Sequence, residues 1–199
     1  TVSGTLGITS GGAVTDSGTL AITGATTISA SGQDITLDEA ASTFGTLALT
    51  GANVAVTDAG ATDLGASTVS GTLGITSGGA VTDSGTLAIT GATTISASGQ
   101  DITLDEAAST FGTLALTGAN VAVTDAGATD LGASTVSGTL GITSGGAITD
   151  SGTLAITGAA TLDNSGGTND AITLDDSSNA FNGTVTFTTD SGSAVTIVD

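Results

Sequence analysis

An all-β parallel β-helix, a solenoid of short stacked strands, is the fold this sequence predicts. Three observations point to it. A phrase of the form Gly-Thr-Leu-(Gly/Ala)-(Ile/Leu)-Thr occurs eight times, beginning at Gly4, Gly18, Gly45, Gly71, Gly85, Gly112, Gly138 and Gly152. In each copy aliphatic residues alternate with small or hydroxylated ones, the period-two pattern of a strand with one buried face. Residues 1–67 return unchanged as residues 68–134, and a third copy from Thr135 first departs at Ile148 and diverges after Gly158. Self-similarity at a fixed period is the mark of stacked repeats, each burying its apolar face on its neighbours.

Within the first copy the apolar anchors fall at Leu6/Ile8, Val14, Leu20/Ile22, Ile28, Ile35/Leu37, Phe44, Leu47/Leu49, Val54/Val56 and Leu64. Ser10-Gly11-Gly12, Asp16-Ser17-Gly18, Ser31-Gly32-Gln33 and Asp58-Ala59-Gly60 fill the gaps as turns. Alternation is cleanest in Asp34-Ile35-Thr36-Leu37-Asp38, with Ile35 and Leu37 inward and the other three outward. A helix is disfavoured by the β-branched and glycine-rich composition. A sandwich of immunoglobulin type needs about 100 residues per unit, too many for this repeat. A coil of roughly 20 to 25 residues with strands 4.8 Å apart gives about three strands per coil, three coils per repeat, and roughly nine coils over 40–45 Å.

The repeats 1–67, 68–134 and 135–199 are therefore expected to form one continuous solenoid. Phe44, Phe111 and Phe181 recur once per copy and fill the wider corner of the core, a more economical reading than three aromatic ligand sites. Phe187 joins them. The longer stretch Ala159 to Asp170 is expected to emerge as a loop on one face. Ala194 to Asp199 resembles Asn53 to Asp58 and reads as a further rung without a polar cap, so the sequence is expected to be a segment of a longer protein.

Composition narrows the chemistry. The formal charge is -19, and Lys, Arg, His, Pro, Cys, Met, Trp and Tyr are absent. No basic patch can meet phosphate, so nucleic acid is not an expected partner. No apolar run approaches the roughly 20 residues that span a bilayer. The charge keeps a long object soluble, at the cost of self-repulsion that salt screens. Disorder is disfavoured by the regular alternation and the 38% hydrophobic content.

A nucleophile needs an activating base, and without His, Lys or Cys the familiar dyads and triads cannot be built. The acid pairs Asp38-Glu39, Asp105-Glu106 and Asp175-Asp176 recur at strand ends, as solvated turns do, and no enzymatic activity or organic cofactor is expected. Calcium is the better functional reading of these hard oxygens, with Asp34, Asp38, Glu39, Asp101, Asp105 and Glu106 as candidate ligands, beside the plainer one of turn formers and solubilising charge. Neither the glycine-rich nonapeptide nor the EF-hand loop is present. The outward strips Thr5-Gly7-Thr9, Thr19-Ala21-Thr23 and Thr46-Ala48-Thr50 suit exposed strands in general, lateral packing between solenoids, or an ice-binding face.

The order of motifs carries a resemblance as well. Asp34-Ile35-Thr36-Leu37-Asp38, then Phe44-Gly45, Thr50-Gly51-Ala52-Asn53-Val54, Leu64-Gly65-Ala66-Ser67-Thr68-Val69-Ser70-Gly71 and Gly79-Ala80-Val81-Thr82-Asp83-Ser84-Gly85 follow one another. This order resembles the repeats of filamentous-haemagglutinin-like exoproteins of Gram-negative bacteria, with autotransporter passengers as near neighbours. The resemblance implies a right-handed parallel β-helix, secreted to the cell surface and serving as a rigid stalk or fibre of an adhesin. Its partners would be adjacent repeats of the same protein, with lateral self-association into fibres or biofilm matrix as the alternative.

Overall fold

The computed structural model describes residues 1–199, and every element in it is a β-strand. All strand pairs are parallel and each joins residues one turn apart, so the chain winds as a β-solenoid. The strands form two sheets, each with ten successive rungs along its main path. Ten rungs at about 4.8 Å make a rod roughly 48 Å long.

The winding differs from the spacing estimate in one respect. Leu6–Thr9 and Leu140–Ser144 lie in the same sheet, seven rungs apart, and their first residues are 134 positions apart in sequence. Each 67-residue repeat therefore makes three and a half turns of about 19 residues, instead of three coils. As a result Leu73–Ser77, which repeats the sequence around Leu6–Thr9, lies in the opposite sheet.

The extra half turn arises because not every turn has three strands. Thr46–Gly51 and Val54–Asp58 are long enough to cross the rod by themselves, and Leu47 stacks on Leu64 after only 17 residues. Where a turn carries three strands the step is longer, as from Thr62 to Val81 through Thr62–Leu64, Ser67–Val69 and Leu73–Ser77. In the third copy it reaches 25 residues, from Ala160 to Val185. Of the stretch expected to loop out, Ala159 to Asp170, only Asn164 to Asp170 does so, with Asn169 in the left-handed region at φ 58°; Ala160–Asp163 is instead a strand, held in the sheet because Ala160 and Leu162 are buried in the core.

A single cluster of 38 buried apolar residues runs through the rod. Like stacks on like: Ile28 on Leu49, Val54 on Leu73, Ile75 on Ile95, and Ile95 on Leu116. Burying one such side chain stabilises the fold by about 1.5–3 kcal/mol. Phe44, Phe111 and Phe181 belong to this core, and Phe187 stacks on Leu162 and packs against it half-buried. The final strand, Val195–Ile197, pairs with Ile172–Leu174 as one more rung.

Tight winding is set by glycine at a corner. A Cβ on Gly112 would lie 2.5 Å from the carbonyl oxygen of Gly91 one turn before, and 2.6 Å from that of Thr90. Only a residue without a side chain lets these rungs approach, which explains the glycine that opens this strand phrase.

Candidate functional site

Most of the recurring acids are engaged in joining one turn to the next. Asp34 precedes the strand Ile35–Leu37, and its Oδ1 accepts both the main-chain N–H (3.1 Å) and the side-chain amide (3.0 Å) of Asn53. Asn53 Oδ1 in turn accepts the N–H and hydroxyl of Thr72, at 3.1 and 3.2 Å. Asp101, Asn120 and Thr139 repeat this exposed ladder at 2.9 to 3.1 Å. The half-turn phase places the two ladders on opposite sheets.

Asp38, Asp105 and Glu106 take part through their backbone. The N–H of Asp38 donates to Asp16 Oδ1 at 3.2 Å, and that of Asp105 to Asp83 Oδ1 at 2.9 Å. Glu106 N–H donates to Asp83 Oδ2 at 3.4 Å, while the carbonyls of Glu39 and Glu106 accept from Ser42 and Ser109. In the third copy Asp150 collects Asp175 N–H, Asp176 N–H and the Asn179 amide. Nowhere do three carboxylates converge on one point: Asp38 and Glu39, and Asp105 and Glu106, are neighbours in the chain, but neither pair is joined by a third acid in a group that could hold a metal ion. Burial pushes the Asp83 carboxyl above its ordinary value, and the nearby charges of Asp105 and Glu106 add to this against the two N–H donors.

A shallow groove of about 200 Å³ opens on one face where Ala122 and Gly141 stack between larger neighbours, with Asp105 and Asp163 at its rim. The hydroxyl and N–H of Ser165 donate to Asp163 Oδ1 and hold its carboxyl below the ordinary range. The groove has no counterpart among the expected features, because it depends on which outward residues the turn length brings into line.

The spacing predicts a turn at Asp58-Ala59-Gly60, whereas Asp58 itself is the last residue of the strand Val54–Asp58. Asp58 and its equivalent Asp125 are each only 1% exposed. Both end a strand at a position where the side chain turns inward beside a buried threonine, Thr62 or Thr129. Asp58 Oδ1 accepts Gly60 N–H at 2.9 Å, and Asp125 Oδ1 accepts Gly127 N–H at 2.9 Å. Burial pushes both carboxyls above their ordinary values despite these bonds. The alternation that buries Val54 and Val56 continues to Asp58, which is why its side chain faces inward.

A ten-rung parallel stack whose polar groups chiefly tie neighbouring turns together defines a structural repeat protein of the β-solenoid class. The chain belongs to a family described as repeats of unknown function (DUF5649), whose model matches residues 1–50, 51–117 and 118–188. The last two matches begin 67 residues apart, the period of the sequence. No curated protein and no solved structure matches the chain.

Proposed function

We propose that this solenoid is a rigid spacer in a secreted or cell-surface fibrous protein, the stalk of a large adhesin. The observation that carries the reading is the unbroken core of 38 residues, which joins identical repeats without a linker and makes length proportional to repeat number. A charge of -19 without a single cation suits an object that must stay extended and soluble. Small-angle scattering on chains of two, three and four repeats tests the rod. The maximum dimension should grow by about 17 Å per repeat, three and a half rungs at about 4.8 Å. A dimension that rises only as the cube root of mass would overturn the reading. Antibody labelling of intact source cells tests the location, and a signal only after lysis would remove the surface role.

A self-assembling filament or matrix fibre is the second reading. Thr46, Ala48 and Thr50 point outward from one sheet, and Thr113, Ala115 and Thr117 form the same strip on the other. Identical strips on opposite sides of a rod allow it to pack laterally in both directions. Negative-stain microscopy separates the two readings: cables support the fibre, and isolated rods the spacer.

A further inference from the structure

The inward carboxyls of Asp58 and Asp125 stand in a protein with no Lys, Arg or His to balance them. Each lies one rung from a buried serine, Asp58 opposite Ser77 and Asp125 opposite Ser144. In the second copy the oxygens form a line. Asp125 Oδ2 is 3.4 Å from Thr129 Oγ1, Thr129 Oγ1 is 3.0 Å from Ser144 Oγ, and Ser144 Oγ is 3.0 Å from the Gly127 carbonyl. These three oxygen–oxygen contacts need three protons, and the two hydroxyls supply only two.

The first copy shows where the missing proton belongs. Thr62 Oγ1 donates to Ser77 Oγ at 2.9 Å, and Ser77 Oγ donates to the Gly60 carbonyl at 3.0 Å. Both hydroxyl protons are thereby used, and Asp58 Oδ2 is buried without a hydrogen bond of its own. An ionised oxygen in that position would lose its hydration while the Thr62 hydroxyl beside it is committed to Ser77, whereas a protonated one becomes the donor to Thr62 Oγ1.

We propose that Asp58 and Asp125 are neutral carboxylic acids in the folded protein, each donating its proton to the adjacent threonine hydroxyl and completing a donor chain that ends on a glycine carbonyl. The proton comes from solvent during folding, and no other group changes charge. No cation faces either carboxyl, and burial raises its pKa by more than the neighbouring donors lower it. The groups that face each carboxyl are the Gly60 or Gly127 N–H, the Phe44 or Phe111 N–H and the threonine hydroxyl. On the turn before, Asp38 and Asp105 are exposed and Glu39 and Glu106 half-buried. Beside each threonine, Asp63 and Asp130 point outward and accept from Thr46 and Ser84, and from Thr113 and Ser151. The two identical repeats would each hold one proton that the other acids release.

Carbon-13 titration of the side-chain carboxyls in the full chain tests this. At about pH 6 an unperturbed aspartate is over 99% ionised. Two of the 19 carboxyl resonances should then still hold the protonated shift. One should vanish in Asp58→Asn and the other in Asp125→Asn, variants whose amide can donate where the acid's O–H did. If all 19 resonances move together near pH 4, the proposal fails. It fails equally if the two carboxyls are ionised at pH 6 and respond to added calcium chloride, since a cation would then occupy the proton's place.

Discussion

The hydroxyl of Ser67 accepts the main-chain N–H of Leu49 at 2.9 Å and donates to the carbonyl of Gly65 at 2.8 Å. This pair repairs the ladder where a straight strand meets a bent one. Thr46–Gly51 pairs at one end with Thr62–Leu64 and at the other with Ser67–Val69. The corner at Gly65-Ala66 leaves Leu49 N–H facing no carbonyl, and Ser67 supplies the acceptor. Ser134 does the same for Leu116 at 3.0 Å, at the point where the next repeat changes phase.

Ser67→Ala should therefore destabilise the rod by about 1–3 kcal/mol, the cost of leaving a buried N–H without a partner. Ser134→Ala should cost the same, and the double variant the sum, because the sites share no partners. Urea denaturation of the four proteins checks both points.

Glycines should divide by location. Gly112→Ala would force apart two rungs now in backbone contact, and should lower stability by about 2 kcal/mol or more. Gly74→Ala meets only the Val54 carbonyl, at 3.8 Å, and should raise stability by about 0.4–1 kcal/mol. Thermal melts of the two variants should move in opposite directions.

In the core, Leu114 is fully buried, and Leu114→Ala should cost about 2–5 kcal/mol by opening a cavity in the stack. The same change at Leu47, its equivalent on the opposite sheet, should cost a similar amount. Chemical denaturation of both variants checks the equivalence.

Stability should depend on pH in an unusual direction for an acidic protein. Asp58, Asp83 and Asp125 have folded values raised above the ordinary 3.8, so the folded state binds protons more readily than the unfolded chain. Below 3.8 these groups are neutral in both states and cost nothing. As pH rises through their folded values the cost of charging them appears in full. The melting temperature should increase as pH falls from 7 towards 4, and Asp58→Asn with Asp125→Asn should flatten that slope. Asp163 and Asp190 act oppositely: their values are lowered, and their contribution is lost only as pH falls below 3.8. Added salt should raise the melting temperature at pH 7 by screening the charge of -19.

Much of this was legible in the residues. Alternation at Ile35/Leu37 and Val54/Val56 marks the inward faces, and the one phenylalanine per copy expected in the core is buried there. The roles of the acids were less accessible. Asp34 and Asn53 lie 19 positions apart, and only the length of the turn puts an amide over a carboxylate. Asp58 and Asp34 look alike in sequence, yet one is buried at 1% exposure and the other is on the surface.

The sequence by itself determined that this chain stacks short strands around a column of aliphatic residues, because period two and exact repetition allow few other ways to bury them. Tertiary structure alone decided the phase. Whether residues 46–64 close in two strands or three depends on how the corner at Gly65 is hydrogen-bonded, and that choice turns each repeat half a revolution from the last. Local pattern specifies which side of a strand is buried, while the angle through which a coil closes is a sum over corners that contact one another only after the chain has wound.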